Sequence, residues 1–206
     1  MKIFALFFAL TTSVSAAEKP NILWLIAEDF GQHLGCSGTK QVDSPNLDRM
    51  ATDGARFTRF FTTAPVCSPS RSAVITGMYQ TSIGAHQHRT AAADKPTLGE
   101  GVKIISDWLR EAGHFTANVR EFPAAMDFKG TGKTDWNFKY EGKSFDSAAW
   151  SDLKTHQPFY AQVNFQETHR DFHAPAKADP AKVQIPPRYP RGPCIPRLQN
   201  DERTDR

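Results

Sequence analysis

The hydrophobic pattern along the chain predicts several strands. A near-continuous apolar run at residues 21–27 is typical of a strand that is buried on both faces in a parallel sheet. Phenylalanines that alternate with Arg and Thr predict a second strand at residues 55–61. Two further strands are predicted at residues 115–119 and 158–165.

Helical patterns lie between these predicted strands. Ser44 followed by Pro45 is typical of a helix start, and Gly54 of its end. At residues 102–112 apolar side chains recur at helical spacing, and Gly113 closes that segment. Helices that alternate with strands predict an α/β fold with a mostly parallel sheet sandwiched by helices.

Composition and charge are those of an ordinary globular protein. The 206 residues are 39% hydrophobic and 23% charged, and the formal net charge is only +3. The basic residues are not clustered, so the sequence gives no reason to expect nucleic acid as a partner.

The N-terminus has the pattern of a secretory signal peptide. A basic start precedes apolar residues 3–10, and small residues follow up to Ala17. The run is too short for a membrane anchor, which needs about 20 apolar residues. We therefore expect residues 1–16 to be a signal peptide, and the mature chain to be periplasmic or secreted without a membrane span.

A stretch of six residues that begins with Cys67 carries the strongest chemical signal. Pro69 suits the first turn of a helix, and Ser68 and Ser70 are candidate capping residues. Cys67 would then lie at a helix N-terminus, where free N–H groups and the helix dipole favour an anion. Arg71 adds a planar cationic fork suited to an oxyanion. The alternative is a buried structural cysteine before an ordinary helix.

The pattern C-x-P-S-R, followed by Thr76 and Gly77, resembles the signature of type I sulfatases in the alkaline phosphatase superfamily. The resemblance implies an alkaline-phosphatase-like fold. It also implies that a formylglycine-generating or sulfatase-maturating enzyme oxidises Cys67 to formylglycine (3-oxoalanine), whose hydrate attacks the sulfur of a sulfate ester. Sulfated carbohydrates such as glycosaminoglycans are the implied substrates. Cys36 and Cys194 would remain, and the sequence does not decide whether they pair.

Two adjacent carboxylates, Glu28 and Asp29, follow the first predicted strand at its carboxyl end, where open α/β sheets place ligands. Such carboxylates repel each other unless a cation lies beside them, and their oxygens suit calcium or magnesium. Sulfatases carry an Asp-Asp pair here. The resemblance therefore implies one Ca²⁺ held by Glu28, Asp29 and the formylglycine derived from Cys67, with Glu28 longer by one methylene than the usual Asp. The alternative is a solvated acidic turn.

The resemblance also implies a Lys-x-His pair after the helix and strand predicted within residues 102–119. Residues 120–123, in direct register, contain neither. An inserted loop that ends with Gly132 places Lys133 as the catalytic lysine that holds sulfate and formylglycine oxygens. Asp135 then stands in the position of the usual His, as a substrate-binding residue. The alternative for Lys133 is an exposed lysine on a turn.

Histidines supply the remaining candidates. His169 follows the last predicted strand, and in sulfatases a similarly placed His contacts the ester and protonates the leaving oxygen. His86 and His88 lie in a segment that resembles the second sulfatase signature, and we expect them to contact the sugar. The alternatives are surface histidines or a transition-metal pair that lacks an evident third ligand.

The resemblance covers residues 19–187, so residues 17–187 are predicted to be the N-terminal part of a sulfatase catalytic domain, with a sheet incomplete at its C-terminus. Residues 188–206 are rich in Pro and Arg, and we expect a disordered or frameshifted tail. Three functions stay open: a sulfuric ester hydrolase, a phosphodiester or phosphonate monoester hydrolase of the same superfamily, and a non-catalytic sulfatase fragment.

Overall fold

The computed structural model describes residues 18–169, which divide into two compact units. The first unit contains residues 18–28 and 60–168, and the second contains residues 29–59 with residue 169. The predicted signal peptide, Cys194 and the tail at residues 188–206 lie outside the described residues.

A four-stranded parallel sheet forms the centre of the first unit. Its strands are β1 (Ile22–Ala27), β2 (Phe115–Glu121), β3 (Ser147–Ala149) and β4 (Phe159–Phe165). They lie in the order β1-β4-β2-β3, and every pair is parallel. The predicted strands at 21–27, 115–119 and 158–165 are therefore confirmed, whereas the three-residue β3 was not predicted.

Three α-helices are described: α1 (Pro45–Asp53) in the second unit, and α2 (Cys67–Thr76) and α3 (Ile105–Glu111) in the first. Short 3₁₀ helices occupy Gly35–Ser37, Ala92–Asp94, Ala124–Met126 and Trp150–Lys154. The predicted start and end of α1 are confirmed, because Pro45 is its first residue and the Gly54 N–H donates to the Met50 carbonyl.

Helix α3 begins three residues later than residue 102, where the helical pattern starts. Ile104 precedes the helix in an extended conformation and is completely buried. The Ile104 side chain anchors the start of α3 in the core. The apolar residues between residue 102 and Ile104 therefore belong to the segment that leads into the helix, and not to the helix itself.

Two hydrophobic clusters cover the two faces of the sheet. Tyr160 packs in one cluster with Ile75 and Ile104, whereas its neighbour Ala161 packs in the other with Val119. Successive strand side chains point to opposite faces, so this division places one core on each side of β4. Helices α2 and α3 supply Ile75 and Ile105 to the first core.

The prediction that the first strand is buried on both faces is wrong for the described residues. Ile22, Leu23 and Leu25 are more than a third exposed. Strand β1 pairs only with β4 in the described sheet. Its side chains therefore have neighbours on one side alone, as expected at a sheet edge.

The strand predicted at residues 55–61 is also wrong. This segment is not part of the described sheet, and Phe57, Phe60 and Phe61 are largely exposed. Alternation specifies one apolar face, but a strand also needs a partner for its backbone groups. The hydrophobic pattern alone does not show whether such a partner strand is present.

Candidate active site

The described site begins at the carboxyl ends of the strands, where parallel sheets place their ligands. Glu28 directly follows β1 and is only 6% exposed. Asn164 lies near the end of the adjacent β4 and is completely buried. The sheet thus carries polar side chains where its core would otherwise be apolar.

Helix α2 places Cys67 as its first residue, with Val66 before it in an extended conformation. The predicted capping by Ser68 and Ser70 is wrong, because Val66 occupies the capping position and both serines lie inside the helix. The Ser70 hydroxyl instead pairs with that of Thr62, 2.9 Å away. Cys67 is nevertheless at a helix N-terminus, as predicted.

Two cations converge on Glu28. One Glu28 carboxylate oxygen, Oε1, lies 2.6 Å from Nη2 of Arg71, and the other, Oε2, lies 2.7 Å from Nζ of Lys133. The three side chains are 4%, 14% and 19% exposed, so the contacts are largely shielded from water. This group carries one more positive than negative charge.

Cys67 lies beside these charges. Its Sγ is 3.7 Å from the Lys133 ammonium and within 4.8 Å of a Glu28 oxygen. Arg71 is four residues after Cys67, so both side chains share one face of α2. We call Glu28, Cys67, Arg71 and Lys133 the Glu28 cluster.

The Arg71 guanidinium is held in place by two further hydrogen bonds. Its Nη1 donates to the carbonyl of Lys133 and to Oδ1 of Asn164, each at 2.9 Å. Asn118, on β2, donates from Nδ2 to the Gly132 carbonyl at 2.8 Å. Arg71 and Asn118 therefore fix the Gly132–Lys133 backbone from two directions.

Sequence reasoning missed Asn118 and Asn164. Gln162, between them on the sheet, donates to Oδ1 of Asn118 at 3.1 Å. A signal was available, because Asn118, Gln162 and Asn164 are polar residues that alternate with apolar ones inside strands. A polar stripe of this kind at strand ends indicates a face that holds more than a hydrophobic core.

Lys133 reaches the cluster through the loop after β2, as the inserted-loop alignment predicted. Residue Arg120, in the direct register, packs its side chain over Gly132, where an added Cβ would collide with Arg120 Cδ. Gly132 also has a φ of 59°, which favours glycine. The alternative of an exposed lysine on a turn does not match the largely buried Lys133 side chain.

Three predicted substrate-binding residues lie outside the Glu28 cluster. His86 and His88 are exposed, and within the described residues neither forms a hydrogen bond or ion pair with the cluster. Asp135 has a φ of 48°, and its Oδ2 is 3.3 Å from Nε of Arg89. Their proposed contact with substrate stays a prediction.

Asp29 and His169 belong to the second unit, where they are neighbours. His169 Nε2 lies 3.9 Å from Oδ2 of Asp29, which is too long for a hydrogen bond. Asp29 is 44% exposed at its side chain and has a φ of 52°. The metal-binding role of Asp29 and the acid role of His169 stay predictions.

A model of the family described as sulfatase matches residues 20–191, which is most of the chain. The chain belongs to the sulfatase family. Solved structures agree at the level of fold. A putative sulfatase from Bacteroides thetaiotaomicron superposes with a TM-score of 0.53 and 21% identity, over 74% of this chain and 36% of that one. This sulfatase chain thus shares a fold of a parallel sheet with helices with that solved structure.

Curated relatives are sulfatases as well. An ulvan-active sulfatase of Formosa agariphila is 34% identical over 77% of this chain and 26% of its own. Human steryl-sulfatase is 40% identical over 59% of this chain and 22% of its own. An N-acetylgalactosamine-6-O-sulfatase of B. thetaiotaomicron is 33% identical over 59% and 23%, respectively. The sulfatase chain therefore spans about a quarter of the length of these relatives.

Sulfatases generally use a formylglycine and a divalent metal. The donor chemistry at Glu28 suits a hard cation, because carboxylate oxygens are the ligands that Ca²⁺ and Mg²⁺ prefer. The Arg71 guanidinium and the Lys133 ammonium contact the two Glu28 oxygens, and they supply positive charge beside this carboxylate. A metal ion at Glu28 fits these residues if Lys133 or Arg71 shares or releases its contact.

Within residues 18–169, no helix is long and apolar enough to cross a membrane.

Proposed function

We propose that this chain forms part of the catalytic domain of a sulfuric ester hydrolase that removes sulfate from sulfated carbohydrates. The observation that carries this proposal is the Glu28 cluster, in which Arg71 and Lys133 gather beside Cys67 Sγ with an excess of positive charge. The family membership, and relatives that include two sulfatases named for carbohydrates, support the reaction class.

Cys67 is proposed as the precursor of the nucleophile. A maturation enzyme would convert it to formylglycine, which supplies an aldehyde whose hydrate attacks the sulfur of the ester. The position of Cys67 supports this role, because a helix N-terminus stabilises negative charge on a bound sulfate through its free N–H groups. In the described structure, Sγ marks the side-chain position that the modified residue would occupy.

Arg71 and Lys133 are proposed to hold the sulfate oxygens. An ammonium carries three donors, so Lys133 can keep its Glu28 contact while it donates to a sulfate oxygen. Arg71 is oriented by the Lys133 carbonyl and Asn164, so its guanidinium needs little reorganisation when an anion enters. Glu28 keeps both cations at the site when no anion is bound.

One Ca²⁺ is proposed at Glu28 and the adjacent Asp29, together with the modified Cys67. Bound there, the ion would act as a Lewis acid toward a sulfate oxygen and would lower the proton affinity of the nucleophile. The residue assignments come from the sulfatase resemblance, and the carboxylate chemistry supports them.

Protonation of the leaving oxygen is proposed for His169, since histidine is the side chain used most often as a general acid. His86, His88 and Asp135 are proposed to contact the sugar.

Export is also part of the proposal, with residues 1–16 removed as a signal peptide. N-terminal sequencing of the chain recovered outside the producing cytoplasm should begin at Ala17 or Glu18; retention of Met1 would contradict export by this segment.

The proposed function is tested by production of the chain together with a sulfatase-maturating enzyme. Mass spectrometry of the Cys67 peptide should show an aldehyde in place of the thiol, and an aryl sulfate should be hydrolysed faster than an aryl phosphodiester. Cys67→Ala should abolish turnover, whereas Cys36→Ala, which removes the other described free thiol, should not.

Two outcomes would redirect the assignment. Faster cleavage of the aryl phosphodiester would indicate a phosphodiester or phosphonate hydrolase. An unmodified Cys67 with no turnover of either ester would indicate a non-catalytic sulfatase fragment.

A further inference from the structure

A second candidate binding site lies beside the Glu28 cluster, in a cleft along one face of β2. The cleft has a volume of about 440 Å³. Asn118, Arg120 and Gly132 line it together with residues 142–148. We call it the basic cleft.

The charges in the basic cleft are unbalanced. Arg120 and Lys143 are exposed, and neither forms an ion pair with any residue between 18 and 169. The one carboxylate among the lining residues, Asp146, already accepts hydrogen bonds from Arg110 Nε at 3.1 Å and from Thr116 N at 2.9 Å. The lining residues therefore carry two positive charges and one negative charge, and the carboxylate is already in contact with Arg110 and Thr116.

The backbone of the segments that line the cleft is anchored. The Lys143 carbonyl accepts a bond from Arg110 Nη2 at 3.1 Å, and the Asp146 N–H donates to the Thr116 carbonyl at 2.7 Å. The Arg120 side chain lies across Gly132. The two cations are therefore presented from fixed segments, which lowers the cost of ordering them around a ligand.

The basic cleft is linked to the Glu28 cluster by one short loop. Gly132 lines the cleft, and the next residue, Lys133, contacts Glu28. Asn118 lines the cleft and holds the Gly132 carbonyl. A ligand large enough to reach from the cluster along this loop would meet Arg120 and Lys143.

We propose that the basic cleft binds a second anionic group, a sulfate or a carboxylate, of the same substrate whose sulfate ester lies at the Glu28 cluster. This inference rests on the proposed function and narrows it to carbohydrates that carry at least two anionic groups. A guanidinium and an ammonium that face one cavity suit an oxyanion of either kind.

Calorimetric titration of the full, unmodified chain tests this proposal without turnover. The probes are a monosulfated disaccharide, its disulfated counterpart, and a counterpart with one sulfate and one uronic carboxylate. Arg120→Ala/Lys143→Ala should weaken binding of a doubly anionic probe roughly tenfold, because it removes both cations that would contact the second anion. Binding of the monosulfated probe should stay unchanged.

A matched control separates the cleft from general charge. Lys139→Ala/Lys154→Ala removes two exposed positive charges elsewhere on the first unit and should leave all three affinities unchanged. The proposal is overturned if the control weakens the doubly anionic probes as much as the cleft variant does. It is also overturned if the cleft variant binds them as tightly as the parent, or if the parent binds neither of them.

Lys133→Ala distinguishes this outcome from failure of the proposed function. Loss of binding of the monosulfated probe in Lys133→Ala reports on the Glu28 cluster alone. If only the cleft variant weakens the doubly anionic probes, the cleft stands and the assignment of the cluster fails. The relative affinity for the disulfated and carboxylated probes identifies which anion the cleft takes.

Discussion

Two networks of charged side chains lie at opposite ends of the same sheet, and their charge balance differs. The Glu28 cluster, at the carboxyl ends of the strands, has one carboxylate between two cations. At the amino end of β2, Asp107 and Asp146 share the single cation Arg110. We call the second group, with Thr116 and Tyr140, the Asp146 network.

The Asp146 network closes on itself. Arg110 donates to Asp107, Asp146, Thr116 and the Lys143 carbonyl. Burial tends to raise the pKa of Asp146, but the N–H and hydroxyl of Thr116 and the charge of Arg110 outweigh it and hold that pKa below its usual value. These hydrogen bonds and ion pairs hold α3 against β2, and they are complete without a ligand.

The Glu28 cluster instead has positive charge left over, next to Cys67. A largely buried ion pair is therefore not by itself a sign of function. An excess of cations beside a nucleophile at strand ends indicates a site for an anion. An excess of carboxylates that already accept hydrogen bonds from the protein indicates a structural role.

The largest expected effect is the removal of both cations from Glu28. Arg71→Met/Lys133→Met should lower the free energy of unfolding by about 3–5 kcal/mol, because it removes two cations that contact a buried carboxylate. Urea unfolding at neutral pH measures this. Adding Glu28→Gln to the double variant should restore part of the loss, and the absence of any recovery would show that packing rather than charge holds the cluster.

Arg110→Met gives the matching measurement for the Asp146 network. Its side chain is 33% exposed, so water can reach the carboxylates that it leaves behind. We expect a smaller loss, about 1–3 kcal/mol. If Arg110→Met lowered the free energy of unfolding as much as the Arg71→Met/Lys133→Met variant does, the two networks would not differ in the way we propose.

An effect of about the same size is expected from the amide that orients Arg71. Asn164→Leu keeps the branching of the side chain but removes the acceptor for Arg71 Nη1, and should cost about 1–3 kcal/mol and weaken sulfate binding. Thr116→Val, which removes a hydroxyl from Asp146, should cost a similar amount and leave sulfate binding unchanged. Unfolding and calorimetry on both variants check this, and equal sulfate affinity in the two would contradict a role for Asn164 at the site.

The smallest effect is a pH dependence at Tyr140. Burial, the hydrogen bond to Asp107 and that residue's charge raise the pKa of Tyr140 from 10.0 to about 12. A raised folded-state pKa contributes stability that is complete below pH 10 and is lost as the pH rises toward 12. Tyr140→Phe should therefore lose stability less steeply than the parent over this window. Parallel curves would contradict the shift.

Local sequence signals predicted the elements that carry the chemistry. The spacing of Cys67 and Arg71 and the apolar run before Glu28 were sufficient to place a helix N-terminus and a strand end. Their meeting with Lys133 depends on the loop after β2, whose course is set by contacts of Asn118 and Gly132. Such contacts join residues that are distant in sequence, and no local period records them.

The failures have related causes. Residues 55–61 alternate like a strand but do not belong to the described sheet. Strand β3 does belong to it, but its three residues are too few to show an alternating pattern. The contacts of Glu28 with Arg71 and Lys133 were not predicted, whereas the metal ion expected beside Glu28 stays a prediction. Residue type predicted that Glu28 needs a cation, but not which cation is in contact with it.

Titration of inorganic sulfate tests most directly the claim that the Glu28 cluster is an anion site. The background should be Arg120→Ala/Lys143→Ala, so that the basic cleft does not contribute, and the ionic strength should be held constant. We expect one sulfate bound per chain, with affinity at least about tenfold lower after Lys133→Met and unchanged after the exposed-lysine control Lys139→Met. Equal affinity in the Lys133→Met and Lys139→Met chains, or no binding in the background chain, would contradict it.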